Sequence, residues 1–300
     1  MKPALALALA LAACGQPPAR GGGIVSTNPC ADAMLVRLVE PERIAAISHY
    51  SQEPGATSIP LDLARRFHAT AGTAEEVVAM RPDLVLASSF TPPSTRAAFE
   101  RAGLRTMYLE SPTTIAASRN QLAEVAAAVG EPERGRAMMA AIDRALATPA
   151  PPRRRPGPSN GTAVIRAQRQ PTTAIVAGPR PSPGWEKVER QRPTALLFIA
   201  GDLANGSGTL LDELFTRAGY TNAAARYGLR YTGTLPAELI VSNPPDVILT
   251  PDPDGRVAAM RGRLLPGTPV ATFPRELVNC GGPSIALALH RLGEIRASLR

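Results

Sequence analysis

Between Thr73 and Ser88 the chain reads TAEEVVAMRPDLVLAS, and its apolar positions change period halfway along. Thr73, followed three residues later by Glu76, has the form of a capping box and predicts a helix start. Val77, Val78 and Met80 supply the apolar side of that helix. Arg81-Pro82 ends it, because proline disfavours the helical conformation in the residue before it. Asp83 then opens Leu84-Val85-Leu86-Ala87, an unbroken apolar run of the kind found in strands buried on both faces. The stretch Leu235 to Thr250, LPAELIVSNPPDVILT, repeats the plan. Glu75 stands seven residues before Pro82, and Glu238 stands seven before Pro245. One helix-turn-strand unit therefore occurs twice, which predicts two similar lobes with an acidic residue near the same helix start in each.

The flanking pattern extends this reading. Short apolar runs at Gly23–Thr27, Arg43–Ser48 and Arg105–Glu110 predict strands, and helices are expected from Asn28-Pro29-Cys30 to Val39, over Leu61–Phe67 and over Pro92–Ala102. Thr113–Val129 reads as a helix stopped by Gly130. Pro132–Ala147 reads as another, with Pro near its start and Met138, Ile142 and Leu146 at four-residue spacing. After a Pro-rich stretch containing two strand-like runs, Gly161–Ala167 and Ala174–Gly178, the alternation resumes. It gives strands at Ala195–Ala200, Asp246–Thr250 and Pro269–Phe273, and helices at Leu210–Ala218, Pro236–Ser242, Arg256–Arg263 and Ser284–Leu299. Strands alternating with helices indicate an α/β fold with largely parallel sheets.

The doubled E-x6-P-D-apolar unit resembles the periplasmic substrate-binding proteins that serve ABC importers of vitamin B12, haem and iron-siderophore complexes. The resemblance runs from about Ile24 to Leu299 and is interrupted near 149–193. It implies two Rossmann-like lobes joined by a single long helix, for which 132–148 is the candidate. The division expected is a leader and tether at 1–22, an N-terminal lobe at 23–131, that helix, an insertion at 149–193 and a C-terminal lobe at 194–300. It also implies that Glu75 and Glu238 dock onto arginines of the two permease subunits, which work with ATPase subunits.

Composition adds two constraints. At 44% hydrophobic but 4% aromatic, the core must be mostly Ala, Leu and Val. The net charge of +8 would suit nucleic acid, but residues 148–193 alone hold nine Lys or Arg against two Glu. That stretch has no interleaved stacking aromatics and reads as a solvated loop, so no nucleic-acid partner is expected.

Met1 to Cys14, MKPALALALALAAC, has a positive start and an apolar stretch too short to span a bilayer, as in an export signal. Leu11-Ala12-Ala13-Cys14 matches a lipobox, in which Cys14 becomes the lipidated first residue; ordinary cleavage after small residues is the other reading. Either way the expectation is an exported, periplasmic chain, monomeric, anchored to the membrane if Cys14 is lipidated.

Catalytic patterns fail. Gly201 to Gly206 has P-loop spacing but Ser207 where the lysine belongs, no G-x-S-x-G elbow is formed, and the three histidines lie far apart with no zinc spacing. The chain is thus expected not to be an enzyme and to hold no intrinsic cofactor. Gly201–Gly206 reads instead as a cleft loop between a strand and a helix. Parallel sheets bind ligands beyond the carboxyl ends of their strands, and the loops there supply Asn28, His49, Tyr50, Phe90, Asn205, Arg230, Tyr231 and Cys280 as candidate ligand contacts. His49 and Tyr50 carry most weight. They follow the second strand, where the resemblance places an aromatic against the ligand, and His or Tyr can be an axial ligand to haem iron. Taken singly, they read as a hydrogen-bonded loop histidine and a packing tyrosine. The ligand classes left open are an iron siderophore, haem or a corrinoid. The one tryptophan, Trp185, lies in the insertion, so the tryptophan-rich cleft of some cobalamin binders is missing. Cys30 and Cys280 fall in cleft loops of opposite lobes, where a permanent bridge would hinder opening. Free thiols are expected, ahead of a disulfide and of metal ligation. Two other functions share the sequence pattern: an enzyme on the same scaffold, and a lipoprotein that acts only as an interaction module.

Overall fold

The computed structural model describes residues 22–148, 192–251, 263, 265–278 and 280–299. In the N-terminal lobe five parallel strands lie in the order β3-β2-β1-β4-β5, from β1 (Ile24–Ser26), β2 (Ile44–Ser48), β3 (Ala69–Thr70), β4 (Leu84–Ser88) and β5 (Thr106–Leu109). Helices α1 (Pro29–Leu38), α2 (Leu61–Ala64), α3 (Ala74–Met80), α4 (Pro93–Arg101) and α5 (Ile115–Ala128) intervene. Side chains of a strand alternate between faces. Val25, Val85 and Ala87 pack with Val77 of α3 and Phe99 of α4. Ile24, Leu84 and Leu86 pack on the other side with Leu35, Leu38 and Leu122. Both faces are buried, so β1, β2 and β4 are apolar at every position but the serine that ends each.

The C-terminal lobe is mixed rather than wholly parallel. Its sheet runs β11-β10-β6-β7-β9, with β8 beside the start of β6. The strands are β6 (Thr194–Ala200), β7 (Leu203–Asn205), β8 (Thr221–Asn222), β9 (Thr232–Thr234), β10 (Val247–Thr250) and β11 (Val270–Thr272); the helices are α7 (Leu210–Arg217), α8 (Ala223–Arg226), α9 (Ala237–Ser242) and α10 (Ser284–Ser298). Strands β6, β7 and β9 pair antiparallel. The stretch expected to be a cleft loop, Gly201–Gly206, is therefore a hairpin: Gly201, at φ 50°, and Asp202 turn the chain and Leu203–Asn205 is a strand. A two-residue connection with glycine at positive φ favours this geometry. The insertion with its two strand-like runs, and the helix expected at Arg256–Arg263, lie outside the described residues apart from their last positions.

The doubled Pro-Asp has a physical reason. Oδ2 of Asp83 accepts the N–H of Gly23 (2.7 Å), at the entry to β1, and the N–H of Asp83 returns a bond to Gly23 O (2.8 Å). In the other lobe Oδ2 of Asp246 accepts the N–H of Thr194 (2.7 Å), at the entry to β6. Each aspartate thus pins the first strand of its lobe to the strand it precedes, β1 to β4 and β6 to β10. Asp83→Ala and Asp246→Ala are each expected to cost about 1 kcal/mol, because exposed charge-assisted bonds are screened. Urea midpoints would measure it; two unshifted midpoints would make the aspartates mere strand-leading residues.

The capping box forms in part. Thr73 Oγ1 accepts the N–H of Glu76 (3.3 Å), but Glu76 reaches past Thr73 to the N–H of Ala71 (2.8 Å) and the hydroxyl of Thr70 (2.6 Å). The helix ends at Arg81 in the left-handed conformation, φ 46°.

Helix α6 (Pro132–Ala147) joins the lobes, packing on α5 of the first and α10 of the second. Gly135 lets it approach α5, since a Cβ there would fall on Cβ of Ala126. The apolar core runs unbroken from Leu122 and Val125 through Ile142 to Leu214, Phe215, Leu292 and Ile295. The lobes share one core rather than meeting across a linker.

Candidate ligand-binding cleft

Three contacts fix how the lobes face each other. Cys30, at the start of α1, and Cys280, before α10, form a disulfide with Cα atoms 5.2 Å apart. Ser118 Oγ accepts the N–H of Gly282 (2.6 Å). The carboxylate of Glu213 accepts the N–H of Ile115 (2.7 Å) at the first turn of α5, where an anion also meets the positive end of the helix dipole. The expectation of two free thiols is overturned. The bridge ties the two loops directly, beside the contact of Ser118 with Gly282.

Above this junction lies a cleft of about 440 Å³ at the carboxyl ends of strands from both sheets. The first lobe contributes Asn28 and Cys30 after β1, Ser88 at the end of β4, and Glu110 to Thr113 after β5. The second contributes Ile199, Leu203, Asn205, the residues Gly208 to Leu211, Leu214, Tyr231, Thr232, Leu277, Val278, Cys280 and Gly281. The floor is apolar and the rim carries hydroxyls and amides, the usual make-up of a small-molecule site. A second cavity, of about 480 Å³, lies among α6, α7 and α10, away from the strand ends, and is lined largely by Ala and Leu.

Four of the eight residues expected at the ligand line the cleft: Asn28, Asn205, Tyr231 and Cys280. Asn28 Oδ1 accepts the N–H of Cys30 (2.8 Å) and so also caps α1. Asn205 Oδ1 accepts the hydroxyl of Thr232 (2.6 Å), tying β7 to β9. Tyr231 is 60% exposed, and its backbone is left-handed at φ 62°, a region that non-glycine residues occupy at a cost of order 1–3 kcal/mol. Two backbone bonds hold it there, from its N–H to Ser207 O (2.9 Å) and to its carbonyl from the N–H of Gly206 (2.6 Å).

The other four do not line the cleft. His49 and Tyr50 sit in a 3-10 turn (His49–Gln52) at the end of β2, with ring centroids 4.0 Å apart and His49 Nδ1 3.2 Å from Thr70 O. Tyr50 is exposed, as is Phe90 at 78%. The guanidinium of Arg230 lies outside the cleft, 5.9 Å from the Tyr231 ring. For His49 and Tyr50 the reason is topological. The second lobe covers the ends of β1, β4 and β5, and β2 lies on the far side of β1. The loop after β5, Glu110 to Thr113, was missed, although the same strand-end rule points to it. Glu75 and Glu238 are exposed in the first turns of α3 and α9, and neither enters an ion pair among the described residues. Cys14 lies outside the described residues, and among those described no cluster of metal-ligating side chains occurs.

Two lobes, each with a parallel core sheet, joined by one helix and enclosing a cleft at their strand ends, define the helical-backbone class of binding proteins. The chain belongs to the periplasmic binding protein family, whose model matches residues 24–181, just over half of it. Similar solved structures include a periplasmic haem-binding protein of Roseiflexus sp. RS-1 in apo form (18% identity, 93% of this chain and 99% of that one, TM-score 0.63). Another is a periplasmic haem-binding protein of Pseudomonas aeruginosa (18%, 93% and 94%, TM-score 0.64). A third is a periplasmic vitamin B12-binding protein of Vibrio cholerae (14%, 92% and 98%, TM-score 0.58). Sequence comparison with curated proteins gives no match.

Proposed function

We propose that this chain is the solute-binding receptor of an ABC importer. It captures a metal complex (an iron siderophore, haem or a corrinoid) in the inter-lobe cleft and delivers it to a permease dimer with its ATPase subunits. The observation that carries this is the cleft itself: an apolar floor with a hydroxyl- and amide-bearing rim, built by both lobes on the fold of a binding-protein family. Asn28, Asn205, Tyr231 and the Cys30–Cys280 wall are the inner contacts, and His49, Tyr50, Phe90 and Arg230 form an outer rim that a complex larger than the cleft would reach. The chain acts in the periplasm as a monomer, tethered through a lipid at Cys14, and as a receptor rather than an enzyme. Native mass spectrometry of protein taken from its own periplasm tests the reading. A retained metal complex is expected, and turnover of such a complex to product would replace the receptor by an enzyme.

Glu75 and Glu238 are the permease contacts in this reading. Helix-dipole stabilisation explains one glutamate in a first turn, but it does not require the same register in both lobes. Exposed, unpaired charges steer and align a partner more than they stabilise their own fold. Reversing both to lysine is expected to reduce transport in a reconstituted importer at least about tenfold, with ligand affinity unchanged, since about 1.4 kcal/mol of lost docking energy corresponds to tenfold. Normal transport by the double variant would remove the docking role.

A further inference from the structure

The chain carries 33 Lys or Arg against 25 Asp or Glu, yet Glu110 is the only charged side chain among the described residues that line the cleft. Its carboxylate is exposed at the carboxyl end of β5 and forms no ion pair or hydrogen bond among the described residues; only its backbone carbonyl is used, by Gln121 Nε2 (2.7 Å). Among the cations beside the walls, Arg96 and Arg275 are committed elsewhere, and Arg230 stands outside the cleft on its outer rim, 5.9 Å from the Tyr231 ring. Arg96 spends its guanidinium on the carbonyls of Ser89 and Thr91 and stacks over the Tyr108 ring, 4.1 Å from its centroid. Arg275 donates to the carbonyl of Ile199 from behind the wall. Two carboxylates brought together at such a site repel. The other polar groups, among them those of Asn28, Ser88, Ser111, Thr209 and Thr232, serve neutral donors and acceptors equally well.

We propose that Glu110 sets the charge selectivity of the cleft, so that the ligand is a metal complex whose inward edge is uncharged or cationic and carries N–H or O–H donors. A complex that buries its own carboxylates there is disfavoured. This rests on the reading of the cleft as a metal-complex site and narrows it to one charge class.

Haemin and haemin dimethyl ester differ in carboxylate charge while keeping the same ring and metal, and cyanocobalamin supplies an uncharged, amide-fringed complex. Absorbance titrations of wild type, Glu110→Gln and Glu110→Lys against all three make the test, with circular dichroism showing that the variants are folded. The wild type is expected to bind the dimethyl ester about tenfold more tightly than haemin, or to bind cyanocobalamin and neither porphyrin. Glu110→Gln should narrow the ester-to-haemin ratio and Glu110→Lys invert it. Where only cyanocobalamin binds, Glu110→Lys should weaken it at least about tenfold. A wild-type preference for haemin, or ratios and affinities that the Glu110 variants leave unchanged, would overturn the selectivity role while leaving the metal-complex reading intact. No binding of any probe would overturn this inference and exclude haem and corrinoids, leaving the iron siderophore to the native mass spectrometry described above.

Discussion

Converting Cys30 and Cys280 together to alanine is expected to lower the unfolding free energy by about 2–4 kcal/mol, the usual worth of a native cross-link. The bridge closes a sequence separation of 250 residues, so its loss releases a large part of the unfolded chain from constraint. Cys280 is buried, and alanine avoids placing an unbonded hydroxyl beside it. Guanidinium unfolding followed by circular dichroism would measure the change, and reductant added to the wild type should reproduce it. The denaturant slope should also rise, because an uncrosslinked unfolded state exposes more surface. The native lobes should keep their arrangement, since α6, the shared core, Ser118 with Gly282 and Glu213 with Ile115 remain. Equal stability with and without the bridge would mean that these contacts alone confine the chain.

The same junction explains what the sequence disclosed and what it withheld. The doubled helix-turn-strand unit was readable because its aspartate does the same work in each lobe, pinning the entry of β1 or β6. Helix α6 was readable to its end residues, since its four-residue apolar spacing and Pro132 are local signals. The strand-end rule found the rim of the cleft but could not tell which arc of it faces the other lobe. That choice is made by Cys30, Ile115 and Ser118 meeting partners 98 to 250 residues away. It brings Glu110 to Thr113 into the cleft and leaves His49 and Tyr50 outside. The hairpin at Gly201-Asp202 had a local signal, a glycine between two apolar runs, but the phosphate-loop spacing drew the reading toward a ligand loop. The disulfide had none, for two cysteines in an exported chain give a pairing no distance.

Asp32 carries the second large effect. It lies in the first turn of α1, fully buried, and its Oδ2 accepts the N–H of Ser48 (3.1 Å) and the hydroxyl of Ser51 (2.7 Å). Burial raises its pKa from 3.8 to about 7, and the hydrogen bonds from Ser26, Ser51 and Ser48 only partly oppose the rise. Between those two values the folded protein holds a proton that the unfolded chain has released. The stabilisation is therefore fully present below pH 3.8 and is lost as pH climbs through about 7. At 1.36 kcal/mol per pH unit the whole window is worth on the order of 4 kcal/mol. Asp32→Asn removes the ionisation and keeps an oxygen for Ser48 and Ser51. Its amide nitrogen would sit where Oδ1 now has no partner, at a cost that does not vary with pH. The diagnostic is thus the slope and not the level. Relative to wild type, the variant should gain up to about 4 kcal/mol between pH 4 and pH 8 in urea unfolding, with no further gain above that. A stability difference that stays flat across that range would show that Asp32 remains ionised in the fold, with its three serines outweighing its burial.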